Sequence, residues 1–273
     1  MLNFTINQIK SKLFDNMTVS RSFEPSTNFV GRSTDLKFQY PAYEKYNTRF
    51  SPTQVIVAAL NEEAGIGLTI AELKDNLDSP HILVVDGHSS DRTVEIAKNL
   101  GVDIAFQDGV GKGDAIAKAL KLTNPDADYV VLTDADFTYP AKHVPEMIKI
   151  LEQNPEVGMV CGNRFNPQLD DKALINRFYL GNKVLAFSHN VLNGIDLHDP
   201  LTGLRVIRAE ILKNLKLKSN GFDIEVELNS IVQKKGYKTV EVPIQYRQRL
   251  GEKKLKMKHG ATIFKRIMTE MSF

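Results

Sequence analysis

The sequence predicts an α/β fold in which a mostly parallel sheet carries helices on both faces. Between residues 53 and 161, five short apolar runs alternate with four segments of helical periodicity, which is the pattern of repeated β–α–β units. The first two runs, at residues 55–57 and 82–85, are apolar throughout, as expected of strands that are buried on both faces. Hydrophobic residues make up 42% of the 273 residues and charged residues 25%, which is ordinary for a folded globular chain and argues against a fibrous or largely disordered protein.

Each element follows from a local pattern. The five strands are predicted at residues 55–57, 82–85, 102–106, 129–132 and 157–161. The helices between them bury apolar residues at helical spacing. These are Ile66, Ile70, Leu73 and Leu77 in the first helix, Val94, Ile96 and Ala97 in the second, Ile116, Ala119 and Leu120 in the third, and Val144, Met147, Ile148 and Leu151 in the fourth.

Turn and cap residues set the predicted boundaries. Asn61 is expected to cap the first helix, with Glu62 and Glu63 in its first turn, because short polar and acidic side chains favour that position. Ser89, Ser90 or Asp91 is expected to cap the second helix, and Gly101 to close it. Pro243 predicts that residues 241–244 form an edge strand, since proline cannot donate to the ladder.

The chain divides into three predicted parts. Residues 1–52 comprise a helix at about 1–22, packed on the body or lying weakly on a membrane surface, and an extended arm at 23–50. Residues 53–258 form the main domain, and residues 259–273 form an amphipathic helix.

Composition also predicts the compartment and excludes some partners. Thirty-five basic and 33 acidic residues give a net charge of +2, which does not indicate a nucleic-acid binder. The single cysteine, Cys161, excludes a cysteine-rich zinc site and fits a reducing compartment. No apolar run approaches the roughly 20 residues of a membrane span, and the N-terminus lacks a signal-peptide core. A cytoplasmic protein is therefore expected.

Polar residues gather where the predicted strands end. Because ligands of open α/β sheets bind outside the carboxyl ends of the strands, these residues form a candidate site as a set. They are Asn61, Asp86, Asp134, Asp136 and Arg164.

Asp134 and Asp136 follow a buried strand directly, and two carboxylates there can share a hard divalent cation. A solvated turn is the alternative. Asp86 either accepts hydrogen bonds from a base or ribose or orders its own loop. Lys112, in a glycine-rich turn that opens a helix, either meets a phosphate or belongs to a tight turn.

A basic segment near the C-terminus indicates a further surface. Residues 234–258 contain nine Lys or Arg and two Glu, a net charge of +7. The segment precedes an amphipathic stretch that includes Ile263, Phe264 and Ile267. A basic cluster beside an amphipathic helix suits an anionic membrane, at about 1 kcal/mol for each nearby Lys or Arg. A solvated basic face is the alternative.

Taken together, these segments resemble family 2 glycosyltransferases, and in part the branch that makes dolichyl- and polyprenyl-phosphate sugars. Six segments carry the resemblance in the family's order: Val55–Glu63, Val84–Thr93, Thr133–Asp136, Cys161–Phe165, Asp199–Arg205 and Arg249–Leu255. The sequence departs from the family's usual pattern at three positions. Ala58 and Leu60 replace a proline and an aromatic residue, and Gly87 replaces the second aspartate of a pair.

The resemblance implies a GT-A fold and an inverting, metal-dependent transfer of a hexose from a UDP-glucose or GDP-mannose type of donor to a polyprenyl or dolichyl phosphate. It implies Mg²⁺ or Mn²⁺ at Asp134 and Asp136, and a catalytic role for both residues and for Arg205. The implied donor-binding residues are Ala58, Leu60, Glu62, Asp86, Lys112, Asp134 and Ala135. The implied acceptor and phosphate ligands are Arg164, Arg205, Arg249 and Lys254. The enzyme would be peripheral on the cytoplasmic face of the membrane.

Three alternatives remain at this point. The acceptor could be a soluble sugar, phosphoglycerate or glycan, and for an alcohol acceptor Glu225 or Glu227 is a candidate base. Residues 134–138 also fit the Asp-x-Asp-x-Thr nucleophile motif of haloacid-dehalogenase-type phosphatases, although that motif usually follows the first strand. A non-catalytic nucleotide-sugar binder is the third alternative.

Overall fold

The structure is a computed structural model that describes residues 53–165 and 177–271, with side chains in the helix from residue 177 described from residue 181 onward. The predicted N-terminal helix and arm lie outside the described residues.

The described chain forms a seven-stranded sheet with helices around it. The strands are β1 (Thr53–Ala59), β2 (His81–Asp86), β3 (Asp103–Phe106), β4 (Tyr129–Asp134), β5 (Val157–Asn163), β6 (Arg205–Arg208) and β7 (Lys238–Pro243). The helices are α1 (Ile66–Asn76), α2 (Thr93–Asn99), α3 (Lys112–Leu122), α4 (Val144–Gln153), α5 (Arg177–Asn193), α6 (Ala209–Leu212), α7 (Ile224–Lys234) and α8 (His259–Thr269).

The strand order is β3-β2-β1-β4-β6-β5-β7, and β6 alone among these strands runs antiparallel to its neighbours. The first four strands pair in parallel, so their carboxyl ends meet at one edge of the sheet. The predicted mostly parallel α/β sheet is confirmed. The expectation that residues 241–244 form an edge strand is confirmed as well, because β7 closes one side of the sheet and ends at Pro243.

Two apolar clusters cover the two faces of the sheet. Val55 and Val57 of β1 belong to one cluster, and Ile56 between them belongs to the other. Each such side chain contributes roughly 1.5–3 kcal/mol when it is fully buried. Burial on both faces therefore explains why the strands read as continuous apolar runs.

The helix starts differ from the prediction. Helix α1 begins at Ile66 after Gly65, has no acidic residue in its first turn and receives no side-chain cap, so the predicted cap at Asn61 is wrong. Asn61 instead accepts a hydrogen bond from the backbone N–H of Ser90, at 2.7 Å, and so ties together the turns after β1 and β2. At α2 the N-cap position is Arg92, without a side-chain cap, and not Ser89, Ser90 or Asp91 as predicted. Asp91 still accepts from the backbone N–H of Thr93, the first helical residue, at 3.0 Å.

The C-terminal part adds elements beyond the β–α repeat. Helix α8 lies where the amphipathic helix is expected. It packs against α5, a helix that was not predicted from the sequence. Across residues 53–165 and 177–271, no helix is both long enough and apolar enough to cross a bilayer.

Candidate active site

A cavity of about 690 Å³ opens at the carboxyl ends of the parallel strands. Loops after β1, β2 and β4 line it, together with residues from α7 and from the segment after β7. Ten of the twelve predicted site residues line the cavity: Ala58, Leu60, Glu62, Lys112, Asp134, Ala135, Asp136, Arg164, Arg249 and Lys254. The structure thus brings these side chains together, and the role of each remains a prediction.

The turn Asp134–Asp136 is held at the cavity by tight packing. Asp134 ends β4, and the hypothetical Cβ of an alanine at Gly203 would lie 2.6 Å from its Oδ2 atom. A larger residue at position 203 would therefore force the Asp134 carboxylate to shift. Asp136 is buried and its Oδ1 accepts from Thr138 twice, from the backbone N–H at 3.1 Å and from the hydroxyl at 2.6 Å. Burial and the neighbouring Asp134 carboxylate raise the pKa of Asp136.

Both aspartates are paired with cations of the protein. Lys112 Nζ lies 2.6 Å from Asp134 Oδ1 and 2.8 Å from Glu225 Oε1. Burial works to lower the pKa of Lys112, but the two carboxylates raise it above its usual value, so the ammonium stays charged. Lys112, which the sequence predicts to contact a phosphate, thus contacts two carboxylates of the protein.

Arg249 is paired with the second aspartate. Its Nη1 donates to Asp136 Oδ2 at 2.8 Å, and its Nη2 donates to Glu62 Oε1. Lys254 lies 3.6 Å from the same Glu62 oxygen and donates to the carbonyl of Asn61 at 2.9 Å. Burial raises the pKa of Glu62 to about 7, although Arg249 and Lys254 act to lower it. The sequence predicts that Glu62 binds the nucleotide-sugar donor. In the structure it contacts Arg249 and Lys254, two cations that are predicted to bind the sugar acceptor.

Arg164 forms a two-pronged ion pair at the cavity wall. Its Nε and Nη2 donate to the two oxygens of Asp199, each at 2.7 Å. Asp199 in turn accepts from the backbone N–H of Arg164 at 3.0 Å, and its own backbone N–H donates to Glu241 at 2.7 Å. The pair fixes the guanidinium plane beside the ring of Tyr246, with 5.5 Å between the guanidinium carbon and the ring centre.

For Arg205 the structure corrects the prediction. The side chain is fully buried and does not line the cavity. It donates to the carbonyls of Pro200 (2.6 Å) and Thr202 (3.0 Å), and to Asn229 Oδ1 (2.5 Å). Arg205 therefore braces the turn that carries Gly203 and does not reach a phosphate in the cavity.

Asp86 also lies away from the cavity. It is fully buried, and Ser89 donates to its two oxygens from the backbone N–H at 2.7 Å and from the hydroxyl at 2.6 Å. This geometry favours the loop-ordering interpretation over a nucleoside contact. Its neighbours Gly87 and His88 line the cavity instead.

Glu227, one of the two candidate bases, has a structural role as well. Its oxygens accept from the backbone N–H groups of Lys218 (2.8 Å) and Ser219 (2.7 Å), and it does not line the cavity.

Several cavity residues were not predicted, among them Gln107 and Tyr139. Gln107 follows β3 directly, and its amide donates to the carbonyl of Gly109 at 2.9 Å. The strand-end rule used for the other strands would have found it. The Tyr139 hydroxyl accepts from the backbone N–H of Gly203 at 2.7 Å, a contact across 64 residues that no local pattern indicates.

The residues present fit a divalent cation shared with a ligand. Magnesium is commonly held by one or two carboxylates together with substrate phosphate oxygens and water, and Asp134 and Asp136 supply two carboxylates at the cavity. In the described part of the chain, no group of three or more His, Cys, Asp or Glu could hold a metal by itself. The cations of Lys112 and Arg249 on these carboxylates show that positive charge is favoured at this position.

Comparison with known proteins agrees with this arrangement. The sequence profile "Glycosyl transferase family 2" matches residues 54–216. The fold is that of the GT-A glycosyltransferases, and the matched region contains β1 to β6 and the Asp134–Asp136 turn. The chain belongs to glycosyl transferase family 2 and is a glycosyltransferase.

Individual relatives are consistent with this assignment. The chain is 34% identical over 222 residues to a dolichyl-phosphate hexose transferase of Haloferax volcanii, covering 80% of this chain and 93% of that protein. It is 26% identical over 220 residues to a dolichol-phosphate mannosyltransferase of Pyrococcus furiosus, covering 77% and 60% of the two chains.

A solved structure shares the fold. Glucosyl-3-phosphoglycerate synthase of Mycobacterium tuberculosis, solved with UDP, superposes with a TM-score of 0.63 at 19% identity, over 80% of this chain and 79% of that one. The same synthase has been solved with Mn²⁺, UDP-glucose and phosphoglyceric acid. Family membership excludes the phosphatase and non-catalytic alternatives.

Proposed function

We propose that this glycosyltransferase moves a hexose from a nucleoside-diphosphate sugar to a polyprenyl or dolichyl phosphate at a membrane surface, with Mg²⁺ or Mn²⁺ bound to Asp134 and Asp136. The two sequence relatives named above support a polyprenyl-phosphate acceptor, since both are named for transfer to dolichyl or dolichol phosphate.

The observation that carries the proposal is the mixed character of the cavity on its acceptor side. Four cations line it there: Arg164, Arg249, Lys253 and Lys254. Apolar side chains line the same cavity: Leu201, Phe222, Leu255 and Ile263, of which Leu201, Phe222 and Ile263 belong to one apolar cluster. A phosphate attached to a hydrocarbon chain matches both surfaces, whereas a small, wholly polar acceptor leaves the apolar wall without a partner.

On the donor side, the chain's own residues would bind and orient the leaving group. A bound divalent cation would neutralise charge that develops on the departing nucleoside diphosphate. Lys112 lies beside Asp134 at the N-terminus of α3, where backbone N–H groups also favour an anion. The donor sugar would then lie between this end of the cavity and the acceptor cations.

The transfer itself requires positioning more than proton removal. An oxygen of the acceptor phosphate forms a bond to the anomeric carbon, the bond from that carbon to the diphosphate breaks, and its electron pair leaves with the nucleoside diphosphate. The acceptor phosphate is already ionised at neutral pH, so no general base is needed. Arg164 and Arg249 suit this role because a planar guanidinium binds phosphate oxygens in pairs.

An exposed apolar stripe beside the cavity supports a membrane location. On α5, Val184, Phe187 and Val191 are 56%, 70% and 63% exposed, and their spacing places them on one side of the helix. Phe264 and Met268 of α8, which packs against α5, are also exposed. With the basic residues that precede α8, this face suits the anionic cytoplasmic side of a membrane.

A reconstituted transfer assay tests the proposal. The full chain would be incubated with Mn²⁺, UDP- or GDP-hexoses, and liposomes containing a polyprenyl phosphate, and lipid-linked hexose would be measured by mass spectrometry. We expect lipid-linked product that disappears with EDTA. Turnover of 3-phosphoglycerate without any lipid product would support the soluble-acceptor alternative and refute the proposal.

A further inference from the structure

The segment that carries the predicted acceptor cations lies directly across the turn that carries the predicted metal ligands. The backbone N–H of Arg247 donates to the carbonyl of Thr138 at 3.0 Å, and that of Leu250 donates to the carbonyl of Asp136 at 3.2 Å. These two bonds hold Arg249 beside the Asp134–Asp136 turn. A movement of the Asp134–Asp136 turn would therefore also move the backbone beside Arg249.

Asp136 has one oxygen left for a cation, and Arg249 occupies it. The Oδ1 atom already accepts two hydrogen bonds from Thr138. The Oδ2 atom accepts from Arg249 Nη1 at 2.8 Å. A divalent cation that takes Oδ2 must therefore displace this contact or weaken it.

Glu62 is the second partner of Arg249. It is buried, contacts Arg249 Nη2 through Oε1, and lies 3.6 Å from Lys254 Nζ. Its Oε2 atom is buried and makes no hydrogen bond with the described residues. After the loss of the Asp136 contact, Glu62 still holds the guanidinium in the cavity, next to Lys254.

We propose that Arg249 and the divalent cation compete for Asp136, and that Glu62 is a positioning residue that keeps Arg249 and Lys254 in place for the acceptor phosphate once the cation is bound. This assignment rests on the proposed function, because it takes the acceptor to be a phosphate. Once the cation is bound, Arg249 turns from Asp136 to the acceptor phosphate. It also assigns Glu62 to the acceptor side instead of the donor nucleotide.

The first test measures competition without any acceptor. Mn²⁺ binding to the full chain would be followed by electron paramagnetic resonance, with and without UDP. We expect Arg249→Met to bind Mn²⁺ about three- to tenfold more tightly than wild type, because a partly buried ion pair no longer opposes the metal. Arg249→Lys, which keeps the charge but loses the fork, should fall between them.

Arg247→Met is the matched control. Arg247 lies on the same segment, but its guanidinium pairs with Glu72, at 2.5 and 2.7 Å, and lies over the ring of Phe137. The control removes one positive charge nearby without touching Asp136, so its Mn²⁺ affinity should stay within about twofold of wild type. Equal Mn²⁺ affinity in wild type and Arg249→Met, or an equal gain in both variants, would overturn the competition.

The second test separates the acceptor from the donor. We expect Glu62→Ala to raise the apparent KM for a polyprenyl phosphate in detergent micelles about tenfold and to leave the donor KM within about twofold. Glu62→Gln, which keeps a hydrogen-bond acceptor, should restore part of the loss. In an Arg249→Met background, Glu62→Ala should have a much smaller effect, because the two residues act together.

Glu63→Ala serves as the control for this pair of variants. Glu63 is the adjacent residue, but it accepts from the backbone N–H of Arg92 at 3.1 Å and does not line the cavity. A rise in the donor KM alone in Glu62→Ala would show that Glu62 binds the nucleotide and would refute the assignment. If polyprenyl phosphate is not an acceptor at all, the proposed function fails, while the Mn²⁺ measurement still decides the competition on its own.

Discussion

Replacing Arg205 by methionine tests whether this residue braces a turn or binds phosphate. Methionine keeps an unbranched chain in the buried space but removes every donor. The carbonyl of Thr202 and the Oδ1 atom of Asn229 then lose a partner, while the carbonyl of Pro200 keeps its hydrogen bond from Asn229 Nδ2 at 3.0 Å. The perturbation therefore leaves two buried acceptors without the donor they had.

The magnitude follows from these contacts. Each orphaned acceptor costs about 1–3 kcal/mol, so the two cost roughly 2–6 kcal/mol. Removal of the guanidinium offsets part of this loss of stability. Arg205 is buried and bonds to neutral oxygens, with no ion pair to a carboxylate of the described residues, so its charge carries a desolvation cost that methionine does not have. We expect a net loss of about 2–3 kcal/mol, which lowers the Tm of a chain of this size by roughly 5–10 °C.

Urea unfolding and steady-state kinetics together check this prediction. The shifted turn should displace Gly203 from Asp134, so the variant should lose kcat with donor and acceptor KM changed by similar factors. The control is Arg208→Met on the same strand, where Arg208 donates to the carbonyls of Val157 and Leu151, away from the cavity. This control should lose stability and keep its KM values. An Arg205→Met enzyme that unfolds like wild type but loses acceptor affinity alone would refute the bracing role.

Three further predictions concern the metal, the core and the membrane face. Asp136→Ala should unfold cooperatively but lose Mn²⁺-dependent transfer by at least about a hundredfold, and retained transfer would contradict the metal role. Burial, with a smaller effect of Arg205, lowers the pKa of His189 to about 4, whereas the pKa in the unfolded chain is 6.5. As the pH falls below 6.5, the unfolded chain therefore takes up the proton first, and the folded state loses stability. That stability should fall by about 3 kcal/mol between pH 7 and pH 4 relative to His189→Gln, as measured by urea unfolding, and parallel pH profiles would argue against it. Phe187→Ser should weaken flotation with anionic liposomes several-fold while transfer to a detergent-dispersed acceptor persists; unchanged flotation would place the membrane contact elsewhere.

Family membership accounts for some features of the site but not for its internal ion pairs. Lys112 bridges Asp134 and Glu225, and Arg249 bridges Asp136 and Glu62, so both predicted metal ligands are neutralised within the protein. Under the proposed function, a cation and its donor would bind by exchanging partners, and this exchange would make the metal affinity sensitive to residues that never contact the metal.

The strands and the helices between them could be predicted from the sequence, and most of the predicted site residues line the cavity. Apolar periodicity is local, and it identifies which segments are strands. In a parallel sheet, the end of each strand then places Glu62, Asp134 and Asp136 at one edge without further information. The same rule explains why Gln107 could have been found.

What the sequence could not determine is which partner each charged side chain meets. Arg205 was expected at a phosphate because the segment Asp199–Arg205 resembles a motif of the family, yet β6 inserts antiparallel between β4 and β5, and the Arg205 side chain is buried. Asp86 bonds to its own loop, and Arg249 meets Asp136 across 113 residues. Periodicity specifies the face on which a residue lies, but strand order and the packing of distant segments select its neighbours. The tertiary structure alone therefore decided which predicted site residues face the cavity and which hold it in shape.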